Sequence, residues 1–132
     1  MTTSDLPAEG SPDVSNEGTE APFDDVITLS TSTDEDGVVT VKVVGEVDTF
    51  TAPVLRSTLD SQLEQSPSEL VIDLSGVQFL GSAGLAVLVE TQKSARSREV
   101  ALRLIATTRA VTRPLEVTGL IDLFTIADST AR

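Results

Sequence analysis

The stretch V-I-D-L-S-G-V-Q-F-L-G-S-A-G-L-A-V-L-V at residues 71–89 concentrates the groups that could do chemistry. Its one exposed-type nucleophile beside a helix-like pattern is Ser82, bracketed by Gly81 and Gly84. Three kinds of site use a small residue or hydroxyl in such a setting, and each demands more than the serine. The spacing Gly76-x4-Gly81-Ser82 is that of a phosphate-binding loop, but Ser82 stands where the phosphate-contacting lysine belongs. Val77, Phe79 and Leu80 also fill that loop with apolar groups. A nucleophile elbow requires G-x-S-x-G, and Leu80 takes the place of its first glycine. With no histidine in the chain, no imidazole is present to activate a serine for hydrolysis. Gly81-x-x-Gly84 alone does not make a dinucleotide site. Asp73 is expected to organise the loop after the apolar run, since no second carboxylate can be placed opposite it for acid–base work. No catalytic residue and no cofactor-binding residue is assigned.

Two readings of Ser82 remain open from the residues. It can be the N-cap of a helix, its hydroxyl accepting a hydrogen bond from a backbone N–H of the first turn. It can equally be a phosphoacceptor. Gly81, Ala83 and Gly84 leave the hydroxyl accessible, and a helix N-terminus stabilises an added dianion.

Composition narrows the classes further. The 132 residues carry 9 basic and 21 acidic side chains, a formal charge of −12. Such an excess argues against a surface for nucleic acid or anionic membrane, both of which need clustered Lys and Arg. The absence of cysteine removes disulfides, thiolate metal sites and thiol switching, and the absence of histidine removes the commonest metal ligand. No metal site is assigned. Four Phe with no Trp or Tyr leave little for stacking on bases. No basic, apolar leader is present and no apolar run approaches the ~20 residues needed to span a bilayer, so a soluble cytoplasmic protein is expected.

The elements that must position Ser82 follow from periodicity. Residues 1–25 hold seven carboxylates, three prolines, two glycines and no basic residue, and are expected to be a disordered acidic tail. The remaining residues, 26–132, carry 9 basic against 14 acidic side chains and form one domain. Alternation at 26–30 and 38–44 around Asp34-Glu35-Asp36-Gly37 predicts a β-hairpin. Leu55, Leu59 and Leu63 predict a helix over 52–64, with Thr51 as cap and Pro53 in the first turn. Residues 70–74 read as a strand buried on both faces, followed by a loop to Gly81. A second helix over 83–95 should bury Leu85, Leu88 and Val89 against Leu70, Val71 and Ile72. A strand at 100–106, a short helix at 112–118 closed by Gly119, and a last strand at 121–126 complete the chain. This order is an α/β fold: a mixed, mostly parallel sheet with an opening hairpin, packed against helices through right-handed crossovers.

The run DLSGVQFLGSAGLAVL, with Gly45-Glu46-Val47-Asp48 upstream and Val117-Thr118-Gly119-Leu120 downstream, resembles the STAS-domain anti-anti-sigma factors, or anti-sigma factor antagonists, over roughly residues 26–128. The resemblance implies a STAS-like single domain that is not an enzyme. It also implies a partner: an anti-sigma factor with serine kinase activity and a histidine-kinase-like ATPase fold. Binding would release the sigma factor, and phosphorylation of the serine in the motif D-S-x-G-L would end binding. Ser82 takes that serine's place, with Gly84 and Leu85 completing the motif. Glu46 and Asp48, in the strand-to-helix loop, would lie beside the phosphorylation loop. A partner surface of Glu46, Asp48, Gly81, Ser82, Ala83 and Gly84 is thereby implied, on a domain that is a monomer when free. Two departures stand out. Gly81 replaces the motif's aspartate, and the sequence stops at Arg132 where relatives continue into a terminal helix. The alternative function is a non-switched STAS scaffold, a subunit of a larger signalling or transport assembly, in which Ser82 only caps its helix.

Overall fold

Alternating valines build the centre of the sheet. Val39, Val41 and Val43 point one way from β2 (Val38–Val47), which pairs antiparallel with β1 (Ile27–Thr33) as the expected hairpin. The turn between them closes on Asp34, whose Oδ1 accepts the N–H groups of Asp36 (2.8 Å) and Val38 (3.0 Å), while Gly37 takes a positive φ of 82°. In this computed structural model residues 27–127 are described. The expected acidic tail, residues 1–25, lies outside them.

The chain then alternates helix and strand. It runs through α1 (Ala52–Glu64), β3 (Glu69–Leu80), α2 (Ser82–Ser97), β4 (Ala101–Ile105) and α3 (Arg109–Val117). A 3-10 turn (Leu120–Leu123) and β5 (Thr125–Ala127) follow. The five strands lie in the order β1-β2-β3-β4-β5, with every pair after the hairpin parallel. This is the single α/β domain with a mixed sheet that the sequence pattern predicts.

One sheet face and all three helices share a core. Leu70, Ile72 and Leu74 of β3 meet Leu55, Leu59 and Leu63 of α1, Leu85 and Leu88 of α2, and Val111 and Leu115 of α3. The opposite face carries a small separate cluster of Val38, Val71 and Ile105. Val71 is therefore buried, but away from the helix it was expected to meet, because successive strand residues face opposite sides. Val89 is half-buried, and Val87 takes the deeper position in α2.

Several boundaries differ from the sequence reading. β3 does not stop at Leu74: it continues to Leu80 beside β2, through register shifts at Lys42/Val44 and Gly45/Glu46. Glycine permits the continuation, since a Cβ on Gly76 would sit 2.8 Å from Val44 Cγ2. Helix α3 starts at Arg109 and runs through Pro114. The proline removes one backbone donor, and complete burial of Val111 and Leu115 holds the helix across it. Gly119 does follow the helix end with φ 76°. The expected strand at 121–126 is a 3-10 turn and then the three residues of β5, since only Phe124 there is fully inside.

The corner between β2 and α1 is tied by Asp48. Its Oδ1 accepts the N–H groups of Phe50 (2.9 Å) and Thr51 (3.0 Å), while its own N–H donates to Thr51 Oγ1 (2.9 Å). Thr51 holds the N-cap position, but its buried hydroxyl does not cap the helix; it donates to the Glu46 carbonyl at 2.8 Å. The Thr51 N–H bond is the main cause holding the Asp48 carboxyl below its ordinary pKa of 3.8, against desolvation and helped by Phe50 N–H.

Two predictions follow from this packing. Leu88→Ala removes a fully buried side chain between α2 and the sheet. It should cost about 2–5 kcal/mol by denaturant unfolding, and a loss under about 0.5 kcal/mol would mean that this face is not core. Because the Asp48 carboxyl is lowered on folding, its charge favours the fold above its ordinary pKa and ceases to do so as pH falls through the folded value. Asp48→Asn should therefore unfold at lower temperature than wild type at pH 7, and the gap should narrow towards pH 3. A gap unchanged over that range would contradict the role given to the charge.

Candidate functional site

Ser82 is the first helical residue of α2, not its cap. Gly81 holds the N-cap position, with φ −90° and ψ −178°, and no side chain caps the helix. The reading of Ser82 as an N-cap is thus corrected: the chain is still extended at Gly81, so Ser82 lies one residue too late to reach back over the first turn. Ser82 is exposed, and its hydroxyl has no hydrogen-bond partner among the described residues. The first intrahelical bond runs from Leu85 N–H to the Gly81 carbonyl at 3.0 Å. The N–H groups of Ser82, Ala83 and Gly84 consequently have no intrahelical acceptor and form the positive end of the helix dipole.

The glycines set how closely this turn approaches the sheet. A Cβ on Gly84 would lie 2.6 Å from Val47 Cγ1 and 2.7 Å from Leu80 Cδ1, so the helix start rests directly on the ends of β2 and β3. Gly81 N–H donates to the Val47 carbonyl at 2.9 Å. Val47 lies between Glu46 and Asp48, so that one bond brings the Gly45-Glu46-Val47-Asp48 segment against the Ser82 turn. Glu46, expected in a loop, is the penultimate residue of β2, exposed and in register with Phe79. Asp48 is half-buried, and its carboxylate is engaged by its own corner. The six residues singled out from the sequence, Glu46, Asp48, Gly81, Ser82, Ala83 and Gly84, therefore gather at one end of the sheet.

Other features of this end were missed by sequence reasoning. Phe50 is 81% exposed, Phe79 50% and Val54 48%. Phe79 was placed in a loop; its alternation with Val77 was the available signal for strand. Nothing in the sequence marks Phe50 as outward-facing. A groove of about 330 Å³ runs between the starts of α1 and α2, lined by Thr49, Pro53, Arg56, Ala83, Ala86 and Val87. An ion pair between Arg56 Nη2 and Glu90 Oε1 (2.7 Å) joins the same two helices, and both groups are about half exposed. A surface pair of this kind adds little stability, on the order of 1 kcal/mol or less.

The arrangement offers a hydroxyl and a dipole, and among the described residues no side chain is hydrogen-bonded to that hydroxyl. Asp73 Oδ1 accepts the N–H (3.0 Å) and hydroxyl (2.7 Å) of Ser75 and so acts as the expected local acceptor, although within β3 rather than at its end. Among the described residues no three Asp or Glu side chains gather into a metal-ligating group, and no helix is long and apolar enough to cross a membrane.

Comparisons with known proteins bear on the family and the fold. The anti-sigma-F factor antagonist RsfB of Mycobacterium tuberculosis is 35% identical over 100 residues, which cover 76% of this chain and 80% of that protein. The anti-sigma-B factor antagonist of Staphylococcus aureus is 29% identical over 99 residues, covering 75% and 92%. The crystal structure of an anti-sigma factor antagonist from Mycobacterium paratuberculosis superposes with a TM-score of 0.74 at 39% identity, over 85% of this chain and 92% of that one. Residues 30–132 match the STAS domain family. By sequence and by fold, the chain belongs to the STAS-domain family.

Proposed function

We propose that this protein is an anti-sigma factor antagonist: a binding module, not an enzyme, that acts in the cytoplasm. It engages an anti-sigma factor with serine kinase activity through the surface around Ser82, releasing that partner's sigma factor. Phosphorylation of Ser82 ends the binding. The observation that carries this reading is an exposed serine hydroxyl at the first position of α2 with no hydrogen-bond partner among the described residues. A structural cap would be engaged; this hydroxyl is left for a reagent or a partner. The names of the relatives in Mycobacterium and Staphylococcus support the antagonist part of the reading.

Chemically the switch is a phosphoryl transfer in which this chain is the substrate. Ser82 Oγ forms a bond to the γ-phosphorus of ATP, the bond from that phosphorus to ADP breaks, and the hydroxyl proton passes to a base. The base belongs to the kinase, since the chain has no histidine and no carboxylate among the described residues is bonded to the hydroxyl. The product carries roughly −1.5 to −2 additional charges at pH 7. Free N–H groups at the helix start accommodate them, so the domain keeps its fold. A partner surface fitted to a neutral hydroxyl would have to desolvate the dianion, with the exposed Glu46 carboxylate nearby adding like charge.

Titration calorimetry of three proteins with a purified anti-sigma-F factor tests the reading. Wild type and Ser82→Ala should bind alike, and only wild type should take up phosphate from ATP. Ser82→Glu should keep its fold and bind at least about tenfold more weakly, a penalty of about 1.4 kcal/mol or more. Equal binding by Ser82→Glu, or incorporation of phosphate into Ser82→Ala, would contradict it.

A further inference from the structure

Gly81 raises a question that its backbone does not answer. At φ −90° and ψ −178° it is extended, a conformation any residue adopts. The reason for glycine lies instead in a neighbour: a Cβ there would sit 3.0 Å from Phe79 Cε2 and 3.3 Å from Cζ. The edge of the Phe79 ring thus rests against the Gly81 backbone, in the space a side chain at 81 would need. That contact is held in place from below, because Gly81 N–H is bonded to the Val47 carbonyl.

The ring is nonetheless half open to solvent, at 50% exposure. Leaving so much aromatic surface in water forgoes the burial that the rest of the fold exploits. Phe124, by contrast, is buried. A ring that already rests one edge on backbone has less freedom to lose when a partner covers its open face, which suits an interface anchor. Phe50, 81% exposed on the adjoining corner, extends the apolar surface towards the start of α1.

We propose that Phe79 is a specificity-determining anchor of the Ser82 surface, its ring seated over Gly81 so that it enters an apolar socket on the anti-sigma factor. The inference rests on the functional reading above and deepens it. Where the motif of the resembling family sets a carboxylate immediately before the phosphoacceptor, this chain presents an aromatic edge, and it selects a partner lined by apolar rather than cationic groups at that point. Glu46, in register with Phe79, leaves a carboxylate at the rim of the anchor.

A double-mutant cycle on the full chain separates this from a general loss of fit. Phe79→Ala should weaken binding of the purified anti-sigma-F factor at least about tenfold, while Phe79→Leu, which keeps apolar bulk, should lose less. Gly81→Ala presses on the ring edge, which must give by a few tenths of an ångström, and should weaken binding severalfold in the wild-type background. In the Phe79→Ala background the same Gly81→Ala change should have almost no further effect. Thermal unfolding of each variant within a few degrees of wild type establishes that the fold is retained. Binding of Phe79→Ala within twofold of wild type would overturn the inference and leave the functional reading standing. An equal cost of Gly81→Ala in both backgrounds would overturn it as well. A wild-type chain that binds no anti-sigma factor would overturn the functional reading, and this inference with it.

Discussion

The site depends on one backbone hydrogen bond, from Gly81 N–H to the Val47 carbonyl. It is the last rung of the β2–β3 pairing, which two register shifts carry past Gly76 to Val47↔Leu80. Without that extension, β3 would end near Asp73 and the chain would reach α2 through a free loop. With it, the entry to α2 is held at the end of the sheet, and the first turn lies on Val47 and Leu80 with only glycine at position 84 to fit between. The corner into α1 starts from the same residue. Asp48, next to Val47, collects the N–H groups of Phe50 and Thr51 and so fixes where α1 begins. Both helix starts at the site are thus positioned from Val47.

This arrangement explains why an exposed serine can be presented without being used by the fold. The first N–H groups of α2 are left uncapped and Asp48 ties the neighbouring corner, so no structural task falls to the Ser82 hydroxyl. The charge that phosphorylation would bring arrives where helix N–H groups already favour it. That change would be felt by whatever touches the surface, since the core of Leu85, Leu88 and the sheet lies beneath it.

Much of the fold was legible because its periodicities are long and unambiguous. The three leucines of α1 at every fourth residue predicted a helix with the bounds observed, Ala52–Glu64. The valines of β2 predicted its strand, and the Asp34–Gly37 turn predicted the hairpin. What escaped depended on partners that a single sequence does not display. The continuation of β3 is licensed by bulges and by Val44 lying against Gly76, neither of which has a local signature. Pro114 argued for a short α3, but the burial of Val111 and Leu115 outweighs the one lost donor. At the site, residue types and order pointed to Ser82 and its neighbours, whereas the cap assignment was off by one residue. The outward placement of Phe50 and Phe79 arises from the corner and the bulged strand, and could be read only from three dimensions.

The central claim is that Ser82 is the modifiable group of a partner surface. The most direct measurement is mass spectrometry of the full chain after incubation with an anti-sigma kinase and MgATP, followed by gel filtration of the modified product with that partner. The account predicts a single phosphate, mapped to Ser82, on a folded protein that no longer co-elutes with the partner, while the unmodified protein does. Phosphate on another residue, no phosphate at all, or a Ser82-phosphorylated protein that still co-elutes would contradict it.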